Sequence, residues 1–241
     1  MLIKIIENGL FGIITEKLSL TAESIWFWLL MALAVVLSMA AGYFLGSVNA
    51  AIIISTKKYK SDIRNHGSGN AGMTNMFRTF GKAGGFLTLF GDIAKTILPI
   101  CFGYLFFGYA GAYISGLFVV MGHCFPIYYR FKGGKGVLAM FAMMLVCDPP
   151  VFVLMLIVFA IIAIGTRFVS MASVMTAIFT PLFIDLWYTI MYGDGATAGF
   201  RMPIAFLITV VIVARHAANL KRIMAREEPR MKMPWEKNKD K

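Results

Sequence analysis

Long apolar runs alternate with short polar segments along this chain. The apolar runs cover residues 26–54, 84–107, 108–128, 137–147, 151–165, 168–192 and 203–214. Four of them reach the roughly 20 apolar residues that a helix needs to cross a bilayer. The runs 137–147 and 151–165 are too short to cross alone, so we predict two short helices packed inside the bundle. The pattern predicts an all-α membrane protein, a seven-helix transmembrane bundle with two short helices.

The first 24 residues follow a different pattern, in which apolar positions with helical spacing alternate with charges. This pattern predicts an amphipathic helix at the membrane surface rather than a span. Glu7, Glu16 and Lys17 interrupt the apolar run, so we predict no cleavable signal peptide. The predicted organisation is an interfacial helix of residues 1–24, a membrane domain of residues 25–220 and a basic cytoplasmic tail of residues 221–241.

Composition and charge support this reading. The chain is 59% hydrophobic and its mean hydropathy is +0.75, whereas soluble domains are about 45–50% apolar. With seven crossings, 19 of the 23 Lys and Arg residues lie on one side, in loops 56–82, 129–135, 166–167 and 215–241. The positive-inside rule assigns that side to the cytoplasm and places the N-terminus outside and the C-terminus in the cytoplasm. No basic tract interleaved with aromatics lies elsewhere, so the net charge of +11 does not indicate a nucleic-acid partner.

The cysteines do not indicate a disulfide framework or a metal site. Cys101, Cys124 and Cys147 lie in or beside apolar runs, their number is odd and their spacing shows no pairing. We interpret them as small buried apolar residues. No zinc-type ligand cluster, paired-carboxylate site or Ser–His–Asp order is evident, so no metal, cofactor or acyl-enzyme nucleophile is predicted.

The polar segment 62–78 is the strongest candidate for a binding site. Its three glycines allow the backbone to approach a ligand closely, and Arg64 and Arg78 bracket it with guanidinium groups suited to phosphate. Successive exposed N–H groups in such a loop form an anion-binding concavity. The alternative is an ordinary polar connection between membrane helices.

The segment 132–136, with the sequence Lys-Gly-Gly-Lys-Gly, lies immediately before an apolar helix. It offers flexible backbone N–H groups and two ammonium groups at a helix start, where anions are favoured. It lacks the spacing of a nucleotide-binding P-loop. The alternative is a basic connector that contacts anionic lipid head groups.

A third polar segment follows the last apolar run. If that helix continues, His216 and Asn219 are three residues apart and share a face. A histidine with a pKa near 6.5 is a usable proton acceptor, although it could equally cap the helix. Arg167, Ser170 and Ser173 add a cation and two hydroxyls to the same side, and either serine could instead cap the sixth helix.

Two ionisable residues, Asp92 and Lys95, lie inside the second predicted span. Charges at membrane depth are expensive and are by default functional or internally paired. Their spacing allows the two side chains to meet on one helix. A mutual pair and a ligand contact are both consistent with the sequence.

Together these motifs resemble those of the bacterial acyl-phosphate-dependent glycerol-3-phosphate acyltransferases, over residues 42–228. The matching positions are Gly46-Ser47 with segment 62–78, the segment 131–137, and His216, Asn219, Arg222 and Glu228. The sequence departs from the usual family pattern at Val48, Asn49, Met73, Ala217 and Arg226, where Ile, Pro, Ala, Arg and Gly are common.

The resemblance implies a seven-helix enzyme of the bacterial cytoplasmic (inner) membrane with its active site facing the cytoplasm. It implies acyl transfer from acyl phosphate to glycerol 3-phosphate by direct attack, giving lysophosphatidic acid. Its partners would be these two substrates and the bilayer, with no cofactor and no obligate protein partner. His216 is the candidate base, and the substrate's own phosphate is the alternative.

By the same resemblance, the catalytic residues would be Ser47, Arg64, His216 and Asn219. The substrate-binding residues would be Ser68, Gly69, Asn70, Thr74, Asn75, Arg78, Lys95, Lys132, Gly133, Gly134, Lys135, Gly136, Arg167, Ser170, Ser173, Arg222 and Glu228. The competing readings are an anion or phosphate-ester transporter and a lipid-binding structural protein. The absence of two similar halves disfavours the transporter, and the ordered motifs disfavour the structural protein. Physical arguments do not distinguish acyl-CoA from acyl phosphate as donor.

Overall fold

The computed structural model describes residues 9–193 and 199–231. All regular secondary structure in these two ranges is helical. The helices are α1 (Leu10–Lys17), α2 (Ile25–Gly46), α3 (Ala50–Tyr59), α4 (Met73–Cys124), α5 (Val137–Cys147), α6 (Pro149–Thr166), α7 (Val169–Tyr192), α8 (Arg201–Arg215) and α9 (Ala217–Met224). Short 3₁₀ turns occur at Ile63–Asn65 and Ile127–Tyr129.

The helices have the length and composition of membrane helices. In the described ranges, four helical stretches are long and apolar enough to cross a membrane, and α8 with α9 forms a fifth if this bent pair is counted as one span. Many of their large apolar side chains are exposed on the outside of the bundle, which is how a lipid-facing surface is built. The prediction of an all-α membrane protein is confirmed.

The long helix α4 folds back on itself. Phe107 and Gly108 have non-helical backbone angles, and Gly108 adopts a positive φ of 58° that favours glycine. The two arms are packed so closely that a Cβ atom on Gly103 would collide with the carbonyl group of Gly111. The predicted boundary between residues 107 and 108 is therefore confirmed. A second break at Gly81, where φ is 71°, separates a short first arm.

The predicted C-terminal end of the first span, 26–54, is wrong. Helix α2 stops at Gly46, and Asn49 caps α3 by accepting a hydrogen bond from the Ile52 backbone N–H at 3.0 Å. Polar side chains at 47–49 compete for the backbone hydrogen bonds of a continuous helix, which accounts for the break. The predicted loop 56–82 is correspondingly shorter, because α3 runs to Tyr59 and α4 begins at Met73.

Small residues hold α2 against the second long arm of α4. A Cβ atom on Gly42 would collide with the carbonyl oxygen of Ser115, and one on Gly46 would lie 2.6 Å from the Cα of Val119. Close approach through glycine is the usual way that helices associate in membranes, where burial from water supplies no driving force. This contact fixes the end of α2 and, with it, the following polar segment.

The two short helices differ from the prediction. Helix α5 has 11 residues and is largely buried, as predicted. Helix α6 has 18 residues because it begins at Pro149, two positions earlier than predicted, and ends at Thr166, one position later. Its buried residues are Val151, Met155 and Ala163 alone. The prediction that it is a short internal helix is wrong. At the junction, Asp148 accepts hydrogen bonds from the hydroxyls of Tyr113 and Tyr188.

Both ends of the bundle carry surface helices. Within the predicted N-terminal amphipathic helix, residues 1–8 lie outside the described ranges and α1 covers part of the rest. Phe11 of α1 is buried, with its ring 5.3 Å from the rings of Phe27 and Phe107. At the other end, α8 and α9 meet at a 54° bend. The predicted tail begins inside α9, and residues 232–241 lie outside the described ranges.

Candidate active site

A cavity of about 690 Å³ lies where three polar segments meet at one end of the bundle. The segments are the loop between α3 and α4, the stretch between α4 and α5, and the α8–α9 junction. The lining residues are Asp62, Arg64, Asn65, Ser68, Gly69, Asn70, Tyr128, Tyr129, Arg130, Phe131, Lys132, Gly133, Lys135, Arg215, Ala218, Asn219 and Arg222. The three motifs singled out in the sequence therefore share one site.

The cavity is strongly cationic. Six Lys or Arg side chains line it, against the single carboxylate of Asp62. Within the described ranges, the side chains of Arg130 and Lys132 make no hydrogen bond or ion pair with the protein. A concave surface with this charge excess concentrates anions.

Arg64 is held in place by its neighbour Asp62. Its Nε lies 3.0 Å from Asp62 Oδ2 and its Nη2 lies 2.6 Å from the same oxygen, while Nη1 donates to the Tyr129 carbonyl oxygen at 3.3 Å. The hydrogen bonds from Arg64 hold the pKa of Asp62 below its usual value. The guanidinium thus reaches the cavity in a fixed orientation and ties two of its three segments together.

The loop that carries Ser68, Gly69 and Asn70 is shaped by Asn75. The Asn75 side-chain amide donates to the carbonyl oxygens of His66 at 2.8 Å and Asn70 at 3.1 Å, and its Oδ1 accepts the Ser68 backbone N–H at 3.1 Å. Asn75 is 2% exposed and does not line the cavity. Its contribution is to the conformation of the loop.

The segment 132–136 is packed tightly rather than free. A Cβ atom on Gly133 would collide with the His123 carbonyl oxygen, and one on Gly134 would collide with the His123 ring at Nε2. The Gly134 N–H donates to the His123 carbonyl oxygen at 3.0 Å, so this N–H is not the flexible anion donor that the sequence suggested. Arg215 donates to the carbonyl oxygens of Gly134 at 3.1 Å and Gly133 at 3.2 Å.

A chain of polar contacts joins Lys135 to the C-terminal segment. Lys135 Nζ donates to Asn219 Oδ1 at 2.6 Å, and Asn219 Nδ2 donates to Glu228 Oε1 at 2.6 Å. Glu228 also accepts from Ser170 Oγ at 2.8 Å and from Arg222 Nε at 2.8 Å. Glu228 therefore contacts the residues around Lys135, while it does not itself line the cavity.

The surroundings shift the pKa values of Lys135 and Glu228. Burial lowers the pKa of Lys135 to about 8, with the nearby Glu228 charge opposing that effect. Burial also acts to raise the pKa of Glu228, but hydrogen bonds from Asn219, Ser170 and Arg222 outweigh it and the pKa is lowered. Lys135 thus loses its proton at a lower pH than an ordinary lysine, and the neighbouring Glu228 carboxylate stays ionised.

Two predicted catalytic residues, Ser47 and His216, are buried and do not line the cavity. His216 is 2% exposed, and its Nδ1 lies 2.8 Å from the Ile212 carbonyl oxygen. Ser47 is fully buried, and its Oγ has no hydrogen-bond partner among the described residues. Neither lines the cavity, whereas Arg64 and Asn219 do.

Of the predicted substrate-binding residues, Ser68, Gly69, Asn70, Lys132, Gly133, Lys135 and Arg222 line the cavity. The structure places Thr74, Asn75, Arg78, Lys95, Gly134, Gly136, Arg167, Ser170, Ser173 and Glu228 outside the lining. Ser173 bonds its own helix, donating to the Val169 carbonyl oxygen, and Phe168 rather than a serine occupies the N-cap of α7.

Eight lining residues were not predicted individually as site residues: Asp62, Asn65, Tyr128, Tyr129, Arg130, Phe131, Arg215 and Ala218. Of these, Asp62 and Asn65 lie within the predicted segment 62–78, and Phe131 lies within segment 131–137. Arg130 and Phe131 adjoin the glycine-rich segment and have positive φ angles, which cannot be predicted from their residue types. Arg215 directly precedes His216, so adjacency to a motif is the signal that could have found it.

No group of three or more His, Cys, Asp or Glu side chains in residues 9–193 and 199–231 could hold a metal ion.

The chain is similar to named proteins over most of its length. A family model described as glycerol-3-phosphate acyltransferase matches residues 22–226. The glycerol-3-phosphate acyltransferase of Bacillus subtilis (strain 168) is 36% identical over 204 residues, covering 85% of this chain and 99% of that protein. That of Macrococcus caseolyticus (strain JCSC5402) is 36% identical over 202 residues, covering 83% and 98%.

The fold is similar as well. The crystal structure of PlsY (YgiH), an integral membrane glycerol 3-phosphate acyltransferase, in its glycerol 3-phosphate form matches with a TM-score of 0.71 and 32% identity, covering 83% of this chain and 96% of that one. The lysophosphatidic acid form matches with the same TM-score and 30% identity, covering 81% and 94%. With its apolar helices and a cationic cavity built from the matching segments, this chain belongs to the glycerol-3-phosphate acyltransferase family.

Proposed function

We propose that the protein transfers an acyl group from an acyl phosphate to glycerol 3-phosphate, releasing inorganic phosphate and lysophosphatidic acid. The observation that carries this proposal is the cavity with six cationic side chains from three segments. Both substrates carry phosphate, which accounts for such a charge excess. The relatives named glycerol-3-phosphate acyltransferase, and a neighbour solved with glycerol 3-phosphate and with lysophosphatidic acid, support the acceptor and the product.

The reaction proceeds by direct attack. The acceptor hydroxyl oxygen bonds to the acyl carbonyl carbon, the bond from that carbon to the phosphate oxygen breaks, and phosphate leaves with the electron pair. In the part of the chain that the structure describes, no histidine lines the cavity to activate a serine or cysteine nucleophile. Catalysis then rests on positioning the two substrates and on cations that stabilise negative charge on the carbonyl oxygen and leaving phosphate.

The hydroxyl proton passes to a substrate phosphate in this scheme. His216, the residue that sequence analysis favoured as base, does not line the cavity and already contacts the Ile212 carbonyl oxygen. Its proposed role is to hold the α8–α9 junction, which positions Asn219. Ser47, equally buried, is proposed to fix the end of α2 rather than to touch substrate.

The two phosphates are assigned to different parts of the cavity. Arg64, Ser68 and Asn70 hold one of them, and Lys132, Lys135 and Arg222 hold the other. Asp62 fixes the Arg64 guanidinium, and Asn75 fixes the backbone of the loop that carries Ser68 and Asn70, so little ordering is needed when the phosphate binds.

The proposed topology has seven membrane segments, with the N-terminus outside and the cavity facing the cytoplasm. The segments are residues 25–46, the two long arms of α4, and helices α5, α6, α7 and α8. The excess of Lys and Arg around the cavity supports this orientation through the positive-inside rule. The domain limits 1–24, 25–220 and 221–241 remain proposals of the same kind.

The test is acyl transfer by purified protein with palmitoyl phosphate and palmitoyl-CoA offered separately. Lysophosphatidic acid is expected from the acyl phosphate. Arg64→Ala is expected to abolish most of this activity, whereas Lys57→Ala, an exposed cation outside the cavity, keeps it. Product from the CoA ester alone would discard the proposed donor, and no product from either donor in folded protein would discard the reaction.

A further inference from the structure

A buried polar cluster inside α4 has no role in the mechanism above. Lys95 Nζ lies 2.9 Å from Asp92 Oδ1 and 2.8 Å from His123 Nδ1. Lys95 is 9% exposed, Asp92 1% and His123 5%, and none of them lines the cavity. Lys95 was expected to bind substrate, and the structure instead places it in this cluster.

The cluster joins the two long arms of α4. Asp92 and Lys95 belong to the arm before the reversal at Gly108, and His123 is near the end of the arm after it. Burying a charged pair is costly, and replacing such a pair by apolar residues is often neutral or stabilising. A charged cluster at this place therefore needs an explanation other than stability.

His123 is oriented by the cluster. An ammonium group only donates hydrogen bonds, so His123 Nδ1 accepts from Lys95, and the proton of the neutral ring is on Nε2. The ring is thereby fixed about its axis, with Nε2 turned away from Lys95. That edge of the ring abuts Gly134, where a Cβ atom would collide with Nε2.

The other contacts of His123 reach the same segment. Its carbonyl oxygen accepts the Gly134 N–H at 3.0 Å, and a Cβ atom on Gly133 would collide with that oxygen. Gly133 and its neighbours Lys132 and Lys135 line the cavity. The position of two cavity cations thus depends on the backbone that packs against His123.

We propose that Asp92, Lys95 and His123 form a positioning triad for the glycine-rich segment 132–136. Asp92 orients Lys95, Lys95 fixes the ring of His123, and His123 provides the surface against which Gly133 and Gly134 pack. The triad touches no substrate. Its effect is to hold Lys132 and Lys135 at the distance that the substrate phosphate requires. The inference rests on the proposed acyl transfer for its kinetic assay.

The experiment measures KM and the melting temperature for Lys95→Met, Asp92→Asn and the double variant. KM does not depend on the fraction of molecules that are folded, whereas the maximal rate does. Positioning predicts that KM for at least one phosphate substrate rises about tenfold in Lys95→Met, the scale of one hydrogen bond to a charged group. Thr88→Val is the matched control and keeps KM, because this buried hydroxyl of the same arm donates to the Gly84 carbonyl oxygen and bonds no other group among the described residues.

The double variant separates positioning from stability. Asp92→Asn with Lys95→Met removes both charges, so it is expected to recover the melting temperature that either single change lowers. KM is expected to stay raised, because the contact with His123 is still missing. A double variant with wild-type KM, or single variants that lose maximal rate alone, would overturn the proposal.

A second readout keeps this inference separate from the proposed function. Equilibrium binding of glycerol 3-phosphate and of inorganic phosphate is measured for the wild type, Lys95→Met and Thr88→Val. If the wild type transfers no acyl group, the proposed function fails, yet a loss of phosphate binding in Lys95→Met alone still supports the triad. Equal binding by all three proteins together with unchanged KM would refute it.

Discussion

We predict that Lys135 makes the binding of a phosphate substrate dependent on pH in a range where the substrate itself does not titrate. Burial lowers its pKa to about 8, and Lys135 is charged below that value and neutral above it. With this pKa, the charged fraction falls from about nine-tenths at pH 7 to about one-tenth at pH 9. A phosphate monoester has its second pKa near 6, so it is a dianion across the whole range. Affinity should follow the charge on Lys135.

The expected result is a rise of up to about tenfold in KM for the phosphate substrate that Lys135 holds, between pH 7 and pH 9. Lys135→Arg is the matched control because a guanidinium stays protonated at both values. The ratio of KM at pH 9 to KM at pH 7 is calculated for each protein, so a loss of affinity in the variant that is the same at both pH values cancels.

Glu228→Gln sharpens the same test. The Glu228 charge acts to raise the pKa of Lys135, so its removal should move the rise in KM to lower pH. The assay is initial-rate kinetics for both substrates at several pH values, with spontaneous hydrolysis of the acyl phosphate measured in parallel. A wild-type KM that is flat for both substrates, or a Lys135→Arg profile that rises equally, would refute the reasoning.

Three further predictions follow from close contacts. Gly134→Ala places a Cβ atom against the His123 ring, and this overpacking should lower the free energy of unfolding by about 1–3 kcal/mol. It should also lower kcat/KM, because the segment that carries Lys132 and Lys135 must shift, while Gly165→Ala, which has open space around it, leaves kinetics unchanged. His216→Gln should retain kcat within about tenfold if a substrate phosphate is the base, since general-base catalysis contributes about 10²–10⁴; a loss of that larger size would restore His216 to the role of base. Asp148→Ala leaves the buried hydroxyl of Tyr113 and the partly buried hydroxyl of Tyr188 without their acceptor. It should lower the free energy of unfolding by about 1–3 kcal/mol, mostly through Tyr113, with KM unchanged in the folded fraction. A wild-type thermal melting curve would contradict it.

The sequence predicted the segments that meet at the cavity because charge placement and helix count put them on one side. It located the reversal at residues 107–108, where an apolar run too long for one span contains a glycine. It placed the end of the first span too late, because hydropathy does not weigh a side-chain cap such as Asn49. Because apolar residues continue on both sides of Asn49, the predicted helix was extended past it.

Contacts between distant residues were beyond the sequence. The spacing of Asp92 and Lys95 permitted either a mutual pair or a ligand contact, and His123, from 28 residues further along, resolves their arrangement. Arg215 acts through backbone carbonyl groups of a segment 81 residues earlier, which no local pattern encodes. Asn75 was expected to bind substrate, but its side-chain amide is occupied by carbonyl oxygens of the preceding loop, those of His66 and Asn70.

Helix α5 begins at the cavity and ends at Asp148, and its length has a consequence for depth. Eleven residues rise about 16 Å, roughly half of a 30 Å hydrocarbon core. At least one end of this helix therefore lies below the water interface, where peptide groups have no solvent to bond. The polar groups beside its two ends are bonded within the protein: Arg215 donates to the Gly133 and Gly134 carbonyl oxygens before the helix, and Asp148 after it accepts from tyrosine hydroxyls. In a bilayer whose hydrocarbon core is about 30 Å thick, this helix therefore leaves either its cavity end or its Asp148 end at the depth of the lipid tails.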